Sequence, residues 1–133
     1  MKNNSIVDTQ AYNKKENRKN NCPVHATIAA LSGKWKMQIL WELRNEAKRF
    51  GQLQESIAGI TPAVLSAQLQ TLTQEGILHR ELYPAVPPKV EYSLTGAGQS
   101  LIAVIVAMEK WGIQQLAHAQ LPYDNSCLWD GAG

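Results

Sequence analysis

The stretch from Ile60 to Gly76 constrains this chain more than any other, because it reads as one helix with both ends marked. Thr61 offers a side-chain oxygen to an otherwise unpaired backbone N–H. Pro62 follows at the first helical position, where its missing N–H costs nothing. Gly76 stands where the chain must take a positive φ to leave the helix. Ile60 and Leu65 have the spacing of a hydrophobic staple, and Leu65, Leu69 and Leu72 recur at steps of four and three on one side. The other side carries Ala63, Ala67, Gln70 and Gln74, flanked by Ser66 and Thr71, with no charge before Glu75. Two readings fit such a face. It is either a solvated face that lacks charge, or one shaped for close approach to another surface, where Gln and Ser can hydrogen-bond base edges.

The segments on either side give this helix its context. Cys22-Pro23 opens a helix from Val24 to about Ser32 with Val24, Ile28 and Leu31 inward, and Gly33 ends it. A second helix is expected from Lys34 to about Arg44, burying Trp35, Ile39, Leu40 and Leu43 with Lys36 and Glu42 outside. Asn45 to Arg49 reads as a polar connector, and Phe50 starts a short helix over Gly51 to Ile57. Ala58-Gly59-Ile60 then turns tightly into the capped helix, which completes a helix-turn-helix pattern. Ile77 to Tyr83 and Val90 to Leu94 have strand character, and Pro84 to Pro88 between them is too rich in proline to pair. The expected product is mainly α with a small two-stranded β wing, a winged helix-turn-helix. Thr95 caps a last helix from Gly96 to about Ala119. Its run Leu101 to Met108 is apolar on every side. One stripe suffices to dock a helix on its own domain, so a second covering is required. Eight residues are too few to cross a bilayer, and another copy of the chain is the expected partner. Val24, Ile28, Leu101, Ile102, Ile105 and Met108 are the expected interface residues of a homodimer joined through its N- and C-terminal helices.

The 133 residues suffice for one domain over 22–120, between a flexible basic tail at 1–21 and a C-terminal tail at 121–133. In the latter, Leu128 and Trp129 are candidates to pack back on the body. The net charge of +2 conceals an asymmetry. Residues 1–21 hold five basic and two acidic side chains, so the remainder carries −1, and a surface for a polyanion must come from where charges sit. The absence of a long apolar run or apolar leader, with only two cysteines, points to the cytoplasm and to no membrane partner. No Gly-rich phosphate loop or nucleophile–base set suggests an enzyme or a cofactor. Cys22-x-x-His25 with His118 and Cys127 is weak evidence for a metal.

Taken together, Cys22-Pro23-Val24, Gly33-Lys34-Trp35, Arg49-Phe50, Ile60-Thr61-Pro62, Leu65-Ser66, Leu69, Leu72 and Glu75-Gly76-Ile77 resemble the HxlR-type winged helix-turn-helix regulators. The stretch Tyr83 to Thr95, with its Val86-Pro87-Pro88 and Val90-Glu91-Tyr92-Ser93-Leu94, is the most specific part; Gly98 and Trp111-Gly112 extend the resemblance. It implies a dimeric, double-stranded-DNA-binding transcription factor whose recognition helix is Thr61 to Glu75 and whose wing, with Lys89, lies along the minor groove. A two-fold dimer would prefer a pseudo-palindromic operator. Similar proteins usually carry Lys or Arg on the recognition face, where this chain has Ala63, Ala67 and Gln70. The load of phosphate neutralisation then shifts to Lys34, Lys36, Lys48, Arg49, Arg80 and Lys89, while Thr61, Ser66 and Gln70 face the bases. A winged helix used only for protein interaction is the alternative reading.

Cys22 matches a family cysteine that in some members senses oxidants, quinones or other electrophiles. The residues supply an independent argument. A thiol at a helix N-terminus feels the positive end of the dipole, and an imidazolium at His25 would favour the thiolate further. The alternative is that Cys22 fills a small apolar gap at the interface.

Overall fold

The computed structural model describes residues 22–129; the expected basic tail at 1–21 and the last residues, 130–133, lie outside it. In chain order the elements are α1 (Pro23–Leu31), α2 (Lys36–Leu43), β1 (Lys48–Arg49), α3 (Phe50–Ser56), α4 (Pro62–Gln74), β2 (Leu78–Tyr83), β3 (Lys89–Leu94) and α5 (Gly96–His118). A 3-10 turn, Asn125–Cys127, follows. The chain is a winged helix-turn-helix, mostly helical with one small antiparallel sheet. Its core gathers Ile39, Leu40 and Leu43 of α2, Leu53 of α3, and Leu65, Leu69 and Leu72 of α4, all buried, with Ile77 and Leu78.

Helix α4 is built as its sequence dictates. Thr61 Oγ1 accepts the Val64 N–H at 3.2 Å, and Leu65 N–H reaches the Thr61 carbonyl at 2.9 Å. At the other end Gly76 takes φ 79°, and Ile77 N–H closes back on the Leu72 carbonyl at 3.0 Å. The turn before α4 is held by the Gln54 side-chain amide, which donates to the Ile60 carbonyl. Thr95 fastens the next joint. Its hydroxyl lies 2.6 Å from the Gly76 carbonyl and 3.0 Å from that of Ile77, and it accepts the Gly98 N–H at 3.1 Å. One side chain thus caps α5 and locks it to the end of α4. A Cβ on Gly98 would come within 2.5 Å of the Ile77 carbonyl oxygen, so this close approach requires glycine.

The sheet is larger than the two-stranded hairpin expected. Lys48 and Arg49, read as a connector, form a short third strand, with Lys48 opposite Tyr92 and Arg49 opposite Glu91, in the order β1-β3-β2. Two residues show no periodicity; their strand conformation comes from the free edge of β3.

The two apolar helices require the main corrections. Val24 and Ile28 do not face the protomer core: they are 64% and 57% exposed, and only Ala30 and Leu31 of α1 are buried. On α5 the reverse holds for Leu101 and Ile105, which were expected at a dimer interface and instead enter the core at 9% and 2% exposure. Ile102 packs half-buried against the same cluster, while Val104 and Met108 remain exposed. Residues 121–129 do fold back on the body. Trp129 meets Trp41 edge to face, with ring centroids 5.0 Å apart, and its backbone N–H donates to Glu109.

Candidate nucleic-acid interface

The buried leucine stripe of α4 fixes what its other side presents. With Leu65, Leu69 and Leu72 inward, helical spacing turns Ala63, Ser66, Ala67 and Gln70 to the surface, and all four are exposed, as are Thr61, Thr71 and Gln74. No ionised group interrupts this face before Glu75. Small side chains permit close approach, and amides and hydroxyls can both donate and accept.

The sheet register decides which basic residues stand beside it. Arg49 lies opposite Glu91, and Glu91 shares a strand face with Lys89 two residues away, so Arg49 and Lys89 come to the same side. Together with Phe50, Gly51, Gln52, Pro88 and the carboxylate Glu55 they line a cleft of about 510 Å³ between the start of α3 and the wing. Lys89 lies over the Tyr83 ring at 4.9 Å and 3.5 Å from Glu91, which leaves its ammonium steered yet accessible. Arg80 is exposed but is paired in register with Tyr92, on the opposite face of the wing from Lys89. Lys34 is exposed, with its ammonium 4.6 Å from the centre of the Trp35 ring.

Two of the expected phosphate ligands are already engaged. Lys48 is bound to Glu42 at 3.0 Å, and both side chains are largely buried. Lys36, expected outside, is only 15% exposed; its ammonium lies 3.4 Å from the Ala29 carbonyl and 3.7 Å from Glu75. No sequence pattern could reveal these pairs, because each joins segments that only the fold brings together.

Burial raises the pKa of Glu75 above its ordinary value, and the nearby Lys36 ammonium offsets this only in part. The sign follows. A carboxyl whose folded pKa exceeds its unfolded one takes up its proton first in the folded state. The resulting stabilisation is complete below the unfolded value of 4.5 and is lost as pH rises through the folded pKa. Wild type should therefore gain stability relative to Glu75→Gln as pH falls from 7 towards 4.5. Parallel denaturation midpoints for the two proteins across that range would contradict the assignment.

Cys22 is the N-cap residue just before α1, in extended conformation and half-buried, and its carbonyl accepts the Ala26 N–H at 2.9 Å. Its sulfur makes no capping bond, and His25 is exposed one turn further on. Pro23 and Val24, which follow it, line an apolar cleft of about 520 Å³ with Ile28, Met37, Val104 and Met108. Among the described residues no helix is long and apolar enough to cross a membrane.

Residues 30–120 match the HxlR-like helix-turn-helix family. The HTH-type transcriptional regulator YdeP of Bacillus subtilis strain 168 is 45% identical over 91 residues, covering 68% of this chain and 71% of YdeP. YdzF, a regulator of the same type and organism, is 43% identical over 74% of this chain and 91% of its own length. Among solved structures, the redox regulator HypR in its reduced form superposes with a TM-score of 0.66 at 38% identity, covering 74% of this chain and 97% of HypR. The reduced form of the regulator YodB from B. subtilis gives 0.65 at 34% identity, covering 70% and 93%. With the uncharged face of α4 and the cleft of Arg49 and Lys89 beside the wing, these relationships establish that the chain belongs to the HxlR-like helix-turn-helix family of DNA-binding transcriptional regulators.

Proposed function

We propose that the protein binds a pseudo-palindromic duplex as a homodimer, each α4 entering a major groove and each wing following the adjacent backbone. The observation that carries this reading is the division of labour in the surface. An uncharged face of Ser66, Gln70 and small residues suits base edges, and the cleft of Arg49 and Lys89 suits phosphates. Lys34 and Arg80 add exposed positive charge, whereas Lys36 and Lys48 contribute less because Glu75 and Glu42 neutralise them. Dimerisation is supported by Val24, Ile28, Val104 and Met108, exposed apolar side chains of α1 and α5 around one cleft. Half-sites should then lie about 10 bp apart or a multiple of it. Gln70→Ala should cost about 1–3 kcal/mol on the best duplex selected from a random pool and little on random duplex. Arg49→Ala should weaken both and flatten the salt dependence. Equal losses on specific and random DNA for Gln70→Ala would remove it from base reading.

A thiol response is the finer reading, favoured by Cys22 at the start of a helix that borders the apolar cleft and by the similarity to the redox regulator HypR. Its thiol would give its proton to water and the thiolate would form a bond to the carbon of an alkylating agent as that carbon's leaving group departs as an anion. The bulk added there would shift α1 and the spacing of the two recognition helices. DNA affinity before and after one equivalent of an alkylating agent should differ by about 5- to 150-fold in wild type, the range of typical coupling energies, and not at all in Cys22→Ser. Wild type shown by mass to be modified at Cys22 yet unchanged in affinity would make Cys22 a packing residue.

A further inference from the structure

The C-terminal segment 121–129 lies beyond the family match, which ends at residue 120, and it builds something the winged helix does not need. It returns over α2 and α5 and sets Trp129 against Trp41. Trp129 is held from behind as well, by the bond from its backbone N–H to Glu109. On one side of Trp129 a cavity of about 450 Å³ is walled by Met37, Trp41 and Glu42 of α2, Ile57 after α3, and Ser126 and Trp129 of the returning segment. On its other side a space of about 280 Å³ is bordered by Met37, Ile105, Tyr123 and the carboxylates Glu109 and Asp124. Among the described residues no Lys or Arg lines either space. Two cations sit outside the walls of the larger one: Lys48 against Glu42 at 3.0 Å, and Arg44 over the Trp41 ring at 3.5 Å.

We propose that the larger cavity is a binding site for a small planar aromatic cation, seated against the Trp41 and Trp129 rings with Glu42 as its counter-charge. The volume falls in the range of small-molecule sites, and the lining has their usual make-up of apolar walls with a few polar groups. Indole faces attract a cation through their quadrupole, and the partly buried carboxylate of Glu42 supplies the one full charge in the wall. The same two features disfavour an anion of equal shape.

Occupancy has a route to the DNA surface. A cation beside Glu42 competes with Lys48 for its carboxylate. Lys48 is half of β1, whose other residue, Arg49, lines the cleft beside the wing. Loosening the Glu42–Lys48 pair therefore disturbs the strand that positions Arg49. This regulatory step rests on the DNA-binding reading, whereas the site itself does not.

The test uses the full chain without DNA, titrated calorimetrically with 1-methylquinolinium, neutral naphthalene and quinoline-2-carboxylate. The cation should bind one per protomer and at least tenfold more tightly than either of the others. Glu42→Gln and Trp129→Ala should each weaken it at least tenfold. Trp129→Phe, which keeps an aromatic face and guards against loss of the folded segment, should retain most of the affinity. Equal binding of cation and anion, or cation binding indifferent to both Glu42→Gln and Trp129→Ala, would overturn the site. Duplex affinity is then measured with and without saturating 1-methylquinolinium. A change of at least threefold in wild type that vanishes in Glu42→Gln supports the coupling. No change beside intact calorimetric binding overturns the coupling alone, and a chain that binds the cation but no duplex indicts the DNA reading instead.

Discussion

On the proposed homodimer, Ile28→Asp should turn a dimer into a monomer at micromolar concentration while leaving the protomer folded. Ile28 is 57% exposed within the protomer, beside Val24 at 64% and across the cleft from Val104 and Met108. A carboxylate there is solvated in the isolated protomer, so far-UV circular dichroism and the thermal midpoint should change little. In the assembly the same group would be enclosed by apolar side chains with no partner, a penalty of several kcal/mol that appears once per protomer. Each 1.4 kcal/mol is a factor of ten in the dissociation constant, so micromolar samples should scatter light as monomers. DNA binding should fall with it, because a single recognition helix loses the effective concentration supplied by its tethered twin. A dimer mass that survives Ile28→Asp would move the interface away from α1.

The parts of this molecule that were legible in its sequence are those built from local signals. Thr61-Pro62 and Gly76 announce the ends of α4 because capping chemistry acts within a few residues, and the leucine stripe then determines which side chains emerge. The wing was legible for the same reason, since Val90 to Leu94 alternates and Pro84 to Pro88 cannot pair. What escaped is what depends on contacts between distant segments. Nothing in Lys48-Arg49 foretells a strand; its conformation comes from the edge of β3. Nothing marks Lys36 and Lys48 as neutralised, because Glu75 and Glu42 reach them only in the folded chain. Trp129 sits in a stretch without periodicity, and its place is set by two contacts with distant segments, the Trp41 ring and the Glu109 carboxylate. For α5 the composition was informative and the phase was not. A run apolar on all sides demands two coverings, but it does not say which stripe meets which.

The phase of α5 leads to the largest effect expected in this protein. Gly98, Leu101 and Ile105 lie at steps of three and four on the stripe that faces the core, and Val104 and Met108 form the neighbouring exposed stripe. Ile105→Asp should therefore destroy the fold, whereas Val104→Asp, one residue away, should destroy only assembly. At 2% exposure the Ile105 side chain packs in the main cluster; an aspartate there loses the apolar contacts and buries an unpaired carboxylate. Loss of the aliphatic contacts alone costs about 2–5 kcal/mol, and the charge adds several more, against a total stability of about 5–15 kcal/mol for a domain of this kind. The expected result is a variant without a cooperative thermal transition. Ile105→Val, which removes one methylene, should cost about 0.5–1.5 kcal/mol and remain dimeric. Val104, at 38% exposure, gives an aspartate access to water in the protomer, so Val104→Asp should melt near wild type and run as a monomer. Thermal denaturation and light scattering on the three variants separate the two stripes. A folded, monomeric Ile105→Asp would mean that Ile105 faces the partner after all and that α5 is rotated about its axis by roughly one residue, 100°.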